Sequence, residues 1–111
     1  KDELIKAAKK IETSFVPEGS TIEAELVTYK KQWNKMISKE ANNNLTEDVN
    51  ALIRDYMRKV LRTLPSKSFT ADRITELATT LVNTPNMKKI TERNAILQYT
   101  QLYMIYIVKN M

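Results

Sequence analysis

The single glycine of this 111-residue chain, Gly19, is the feature that most restricts its fold. Antiparallel sheets turn back at hairpins, and the commonest hairpin turns need glycine or asparagine at positive backbone angles. Sandwiches and barrels, which are rich in such turns, therefore use more glycine than this chain contains. Only three prolines add further breaks. The scarcity of both residues predicts an all-α fold whose helices are joined by few connections.

Apolar residues recur at helical spacing along most of the chain. Leu4, Ala8 and Ile11 fall on one face of a first helix. The stretch PEGS, residues 17–20, interrupts this pattern, and Pro65 ends a later one because the residue before a proline resists helical geometry. The pattern predicts a compact bundle of four to five helices, at about 1–15, 21–40, 45–64, 71–83 and 87–110. Because the connections are short, neighbouring helices should pack roughly antiparallel.

Two of these helices begin with recognisable capping residues. Ser20 followed by Glu23 fits a capping box, in which each side chain bonds a free backbone N–H at the start of the second helix. Thr70 suits the N-cap of the fourth helix, and Phe69 with Ile74 fits a hydrophobic staple across that cap. These signals predict where the two helices start.

The C-terminal stretch LYMIYIV, residues 102–108, is apolar on every side and allows two interpretations. Tyrosine, isoleucine and valine favour strands, whereas a helix that is apolar all round is typical of a buried position. No turn signal separates the stretch from the preceding helical pattern, and no other segment resembles a partner strand. We therefore expect a helix.

The length of the chain suits one domain, and we expect residues 1–111 to form it. Because the first residue is Lys1 and not methionine, we expect a fragment of a longer protein, with a C-terminal piece as one possibility. No apolar run reaches the ~20 residues that a membrane span needs. The abundance of lysine, asparagine and isoleucine hints at a bacterial source. The absence of cysteine leaves the compartment open, with the cytoplasm as the working expectation.

The chain contains no cysteine and no histidine, which removes thiol nucleophiles, histidine bases and thiolate zinc sites. A lone glycine also excludes glycine-rich phosphate loops. Asp72 and Glu76, four residues apart, are the best remaining pair for a metal-assisted hydrolase, but no third ligand lies nearby in the sequence. We expect no catalytic residue, no metal and no cofactor.

Basic residues form a stripe with four-residue spacing along the third segment. On ideal helical geometry Arg54, Arg58 and Arg62 stay within about 80° of arc, with Lys59 beside them. The helix dipole also favours basic residues near the C-terminal end of a helix, where these residues lie. An ordinary solvated face is therefore the simpler interpretation. Lys88, Lys89 and Arg93 begin the last segment, where the dipole disfavours positive charge. The candidate phosphate contacts are Arg54, Arg58, Lys59, Arg62, Lys88 and Lys89. Whether these adjoin the line of Lys31, Lys35 and Lys39 decides whether a positive patch exists.

Aromatic residues flank the apolar turns of the last segment. A small domain has difficulty covering a helix that is apolar on all sides, and tyrosine is enriched at interface centres. The candidate partner interface consists of Tyr99, Leu102, Tyr103, Tyr106 and Ile107. We expect a non-catalytic protein–protein interaction domain whose partner is a second copy or another domain of the parent chain. The alternative is a nucleic-acid-binding domain that uses its basic helix faces on phosphates; the net charge of +5 permits this but is modest for a dedicated binder.

Overall fold

The structure is a computed structural model that describes residues 2–37, 45–88 and 93–111. These residues form six α-helices and one 3-10 turn, at Ser66–Ser68, and contain no strand. The helices are α1 (Asp2–Phe15), α2 (Ile22–Ile37), α3 (Leu45–Thr63), α4 (Ala71–Val82), α5 (Pro85–Lys88) and α6 (Arg93–Lys109). The all-α prediction is confirmed, and the apolar C-terminal stretch is a helix.

Three predicted helix boundaries, each set by a local signal, agree with the structure. Gly19 has a φ of 86°, a backbone conformation that glycine adopts without steric cost, in the turn after α1. α3 ends just before Pro65. Thr70 caps α4, because its hydroxyl oxygen accepts the N–H of Arg73 at 3.2 Å. The last predicted helix, 87–110, is recovered as α5 and α6, and residues 89–92 between them lie outside the described part, as do residues 38–40 of the predicted second helix.

The predicted capping box of Ser20 and Glu23 does not form at the start of α2. Thr21 is the N-cap, since its hydroxyl oxygen accepts the N–H of Ala24 at 3.2 Å and its carbonyl accepts the N–H of Glu25 at 3.1 Å. The Ser20 hydroxyl instead donates to the Glu25 carboxylate at 3.0 Å. Glu23, the predicted box partner, takes no part in the cap and pairs with a residue of α6, as described below.

α6 is the central helix of the fold and packs against α1, α2, α3 and α4. Its buried residues are distributed around the whole helix, which explains why its sequence has no polar face. They are Ile96, Tyr99, Thr100, Leu102, Met104, Ile105 and Val108. A domain of this size was expected to have difficulty covering such a helix. The structure reduces this difficulty by packing four helices around α6.

Two contacts show that α2 runs antiparallel to α6. Lys109, the last residue of α6, reaches Glu23 near the start of α2 at 3.3 Å. Further along α2, the Tyr29 hydroxyl donates to the side-chain oxygen of Gln98, nearer the start of α6. α4 is antiparallel as well, because Gln101 of α6 bonds Thr75 at 3.3 Å while the start of α6 bonds the end of α4.

Candidate protein-interaction groove

Three tyrosines form a ladder along one side of α6. Tyr99, Tyr103 and Tyr106 follow the spacing of four and three residues that places side chains on one helical face. The rings of Tyr99 and Tyr103 are stacked, with centroids 5.8 Å apart and an interplanar angle of 21°. The rings of Tyr103 and Tyr106 are also 5.8 Å apart, tilted by 34°. The three rings therefore make one continuous aromatic surface.

α2 and α3 flank this ladder. Together with one side of α2 the ladder lines a shallow open groove, which we call the tyrosine groove. Its residues are Glu23, Leu26, Val27, Lys30, Tyr99, Tyr103 and Tyr106. On the other flank, Asn50 of α3 contacts Tyr99, and Arg54 lies close enough to Tyr103 to act on its pKa. Because the order of residues along α3 matches that along α6, these two helices run parallel.

The ladder is anchored at Tyr99. Only 3% of this residue is exposed, and its hydroxyl donates to the side-chain oxygen of Asn50 at 2.5 Å. Burial raises the pKa of the Tyr99 hydroxyl far above its ordinary value, the neighbouring Tyr103 adds to this effect, and the bond to Asn50 opposes it. Burial also raises the pKa of Tyr103, against the influence of Arg54. Both hydroxyls are therefore neutral at pH 7, and the groove has an uncharged floor.

Val27 stands at the rim of the groove with 52% of its surface exposed. Within the described residues, it and Met111 are the large apolar side chains that are most exposed. Single exposed apolar residues are ordinary on protein surfaces. Val27 is distinctive because it adjoins Leu26 and the tyrosines, so that its exposed methyl groups continue an aromatic surface.

The structure separates the predicted interface residues into two groups. Tyr99 and Leu102 are only 3% and 4% exposed and are covered by helices of the same chain. Tyr103, Tyr106 and Ile107 are half-buried. The part of the predicted interface that a partner can reach is therefore the outer portion of the ladder.

The α2 wall of the groove was not predicted from the sequence. The core-facing positions of α2, such as Ile22 and Leu26, follow a regular seam, and Val27 falls just outside it. An apolar residue outside an otherwise regular seam was the available signal. The side chain of Trp33, further along α2, lies outside the described part.

The charges at the walls of the groove are mixed. The α2 wall carries the carboxylate of Glu23 and the ammonium of Lys30. On the α3 flank, Glu47 lies near Tyr99 and Tyr103 and raises the pKa of both, and Arg54 lies near Tyr103 and lowers its pKa. Each flank of the ladder thus presents one acid and one base.

A charged junction closes one end of the groove. The Lys109 ammonium lies 3.1 Å from the Glu12 carboxylate of α1 and 3.3 Å from that of Glu23. Glu12 also accepts the backbone N–H of Ile22 at 3.1 Å, which satisfies a free donor at the start of α2. The hydrogen bond to Glu12 is the main cause that raises the pKa of Lys109. The junction therefore ties α1, α2 and α6 together where α6 ends.

The arginine stripe is an exposed helix face. Arg54, Arg58, Lys59 and Arg62 are all exposed. Arg58 lies 3.7 Å from Asp55, and both side chains are at least 70% exposed. Ion pairs between exposed side chains contribute little to the stability of the fold. On ideal helical geometry Lys59 points about 140° away from Arg54 but only about 60° from Arg62, so it flanks one edge of the stripe.

Lys88 is exposed, at the end of α5, and Lys89 lies outside the described residues. Arg93, which begins α6, has a local role that the sequence did not reveal. Its guanidinium donates to the carbonyl of Val82 at 2.6 Å and to that of Met87 at 3.2 Å. Val82 is the last residue of α4, and Met87 belongs to α5. The carbonyls at the end of a helix carry the negative end of its dipole, which favours a cation. Arg93 therefore has a structural reason for its positive charge, although it stands at the start of α6, where the dipole of that helix disfavours a cation.

The described basic residues lie at different levels along α6. Since α3 runs parallel to α6, Arg58 and Arg62 lie level with the end of α6, whereas Lys88 adjoins its start. Since α2 runs antiparallel, Lys31 and Lys35 extend toward the start of α6, away from the arginines. Lys39 lies outside the described residues.

One member of the carboxylate pair proposed for metal chemistry, Glu76, is paired with an arginine. Glu76 lies 3.0 Å from Arg73, and Asp72 is exposed in the first turn of α4. Across the part of the chain that the structure describes, no group of three or more carboxylate, histidine or cysteine side chains is arranged to hold a metal ion. In the same residues, no helix is long and apolar enough to cross a membrane.

Comparison with known proteins adds no relative. No protein-family model, no curated protein and no solved structure matches the chain. The fold and the groove define a helical bundle with an open aromatic groove on its central helix.

Proposed function

We propose that this chain is a non-catalytic protein–protein interaction domain that docks its partner on the tyrosine groove. The observation that supports this proposal is the stacked ladder of Tyr99, Tyr103 and Tyr106 beside the exposed Val27. Tyr103 and Tyr106 are only half-covered, whereas Met104, Ile105 and Val108 on the opposite side of α6 are completely buried. Here an aromatic surface continues outward to an exposed aliphatic side chain.

The groove has the physical properties of a docking surface. Tyrosine offers a large contact area with few rotatable bonds, so that ordering it on binding is inexpensive in entropy. Tyr103 is held between two other rings, which orders it before a partner arrives. A groove lined by fixed aromatic rings with polar residues at its walls matches the arrangement found at protein interfaces.

The mixed charge of the walls favours a protein partner over a nucleic acid. Binding to phosphates draws most of its affinity from lysine and arginine, and carboxylates along the same path oppose it. Glu23 and Glu47 both border the ladder. A protein partner can match Lys30 and Arg54 as well as the two acids.

Photocrosslinking in cells tests the proposal directly. The full-length protein would carry a photoreactive phenylalanine derivative at Val27 or, as a matched control, at Thr79, which is exposed on α4 and does not line the groove. We expect a discrete protein adduct from position 27 that is absent from position 79 and is lost when Tyr103→Ala is added. Mass spectrometry would identify the captured chain.

The same experiment can overturn the proposal. Equal adducts from both positions would show that the groove is not a preferred contact. An adduct from position 27 that disappears on nuclease treatment would favour the nucleic-acid alternative. Adducts that persist unchanged with Tyr103→Ala would contradict the role of the ladder.

A further inference from the structure

We propose that the occupant of the tyrosine groove is a second copy of this chain, joined by antiparallel pairing of the two α2 helices about a two-fold axis. This inference rests on the proposed function and names the partner for the same surface. The inference rests on the order of three residues on the outer side of α2. They are an acid, Glu23, an exposed apolar residue, Val27, and a base, Lys30.

These three residues lie on one line of the helix. Val27 follows Glu23 by four positions and Lys30 follows Val27 by three, so that all three point to the same side. All three line the groove. Glu23 and Lys30 are separated by seven residues, which corresponds to about 10 Å along a helix axis.

When two copies of α2 pair antiparallel, the charges of this line on one copy are opposite to those they face on the other. In a two-fold dimer, the contact of residue i with residue j is repeated as that of j with i. An axis that passes between positions 26 and 27 places Glu23 of one copy opposite Lys30 of the other, and the reverse. The same axis brings the two exposed Val27 side chains together at the centre. Two ion pairs therefore flank an apolar contact, with the outer tyrosines of each groove at its border.

The exposed faces of α1 and α3 also place an acid and a base seven residues apart, as in Asp2 with Lys9 and Asp55 with Arg62, but no large apolar side chain is exposed between these residues. The line of Arg54, Arg58 and Arg62 would place arginine opposite arginine in any antiparallel self-pairing, and like charges in contact are unfavourable. Reversal of α2 about Val27 instead pairs opposite charges twice. The net charge of +5 on each copy opposes self-association, and such local complementarity offsets this repulsion.

Charge reversal with mixing tests this geometry. In Glu23→Lys, position 23 would face Lys30 of an identical copy, and in Lys30→Glu, position 30 would face Glu23. We expect each single variant to self-associate at least tenfold more weakly than the wild-type chain in sedimentation equilibrium. A mixture of the two variants restores both ion pairs, so we expect heterodimers at near wild-type affinity. The double variant should self-associate again.

Controls separate this effect from misfolding and from net charge. Glu23 also pairs with Lys109 within the chain, so the fold of Glu23→Lys would be checked by circular dichroism, and recovery of association on mixing shows in addition that it has folded. Glu3→Lys and Lys9→Glu, both at exposed positions of α1, change net charge by the same amounts. Their mixture should behave like the wild-type chain.

Three results would overturn the inference: a wild-type chain that stays monomeric at several hundred micromolar, single reversals that dimerise normally, or a mixture that does not recover. A captured protein other than a second copy in the Val27 crosslinking experiment would refute this inference while leaving the proposed function intact. The absence of any groove-specific adduct would refute both.

Discussion

The two sides of α6 differ sharply, although they belong to one helix. On one side Met104, Ile105 and Val108 are completely buried. On the opposite side, Tyr99 is buried but Tyr103 and Tyr106 are only half-covered. The aliphatic side is closed by the chain itself, whereas the tyrosine side ends in an open groove. The contrast shows how one central helix can hold the fold together and also present a surface.

The chemistry of the side chains fits this division. Aliphatic residues gain stability only when they are removed from water, which the closed side achieves. Tyrosine combines a large apolar ring with a hydroxyl that tolerates water, so that it suits an edge between core and solvent. Tyr99 shows the transition, since its ring is buried and its hydroxyl is satisfied by Asn50.

The largest expected effect lies on the closed side. Ile105→Ala removes a fully buried side chain, and we expect the free energy of unfolding to fall by about 2–5 kcal/mol because a cavity remains. Ile107→Ala, at a half-buried position two residues along, is the matched control and should lose no more than about half as much. Urea unfolding measures both. Equal losses would show that the two sides are packed alike.

An intermediate effect is expected at Tyr99. Tyr99→Phe leaves the Asn50 oxygen without its donor, and we expect a loss of about 1–1.5 kcal/mol at pH 7. Tyr106→Phe, at the half-buried end of the ladder, should change stability by less than about 0.5 kcal/mol. Urea unfolding of the two variants compares the buried end of the ladder with its open end.

Alkaline pH sharpens the same comparison. The pKa of Tyr99 is raised on folding, so the stability it contributes is present below its unfolded pKa of 10.0 and is lost as pH rises toward the folded value. The free energy of unfolding should therefore fall above about pH 10, and Tyr99→Phe should make that fall shallower by up to about 1.4 kcal/mol per pH unit. Unfolding curves between pH 8 and about 11.5 would show this. Parallel pH profiles for the two proteins would contradict the burial of the Tyr99 hydroxyl.

Features set by neighbouring residues were predictable from the sequence. The turn at Gly19, the end of α3 before Pro65 and the cap at Thr70 each depend on the backbone preferences of a few adjacent residues. The tyrosine ladder was also visible, because its spacing follows from the helix that contains it. Together with the helical spacing of the apolar residues, these features predict the all-α fold and the α6 side of the candidate groove.

Features set by distant residues were not predictable. The predicted capping box of Ser20 and Glu23 does not form in a region where Glu12 of α1 supplies an acceptor to the first N–H of α2. The charge of Arg93 is explained by carbonyls eleven and six residues earlier in the chain. Val27 became significant only when the fold placed α2 beside the tyrosines. Each case depends on which helices become neighbours, which periodicity does not encode.

The self-association constant of Tyr103→Ala tests the central contrast most directly. Sedimentation equilibrium would be run on protein whose circular dichroism and unfolding midpoint are compared with those of Ile105→Ala. We expect Tyr103→Ala to weaken association by about tenfold or more, as truncation of an interface anchor does, while it remains clearly more stable than Ile105→Ala. A variant that is destabilised as much as Ile105→Ala and associates as the wild-type chain does would show that the tyrosine side serves the fold alone.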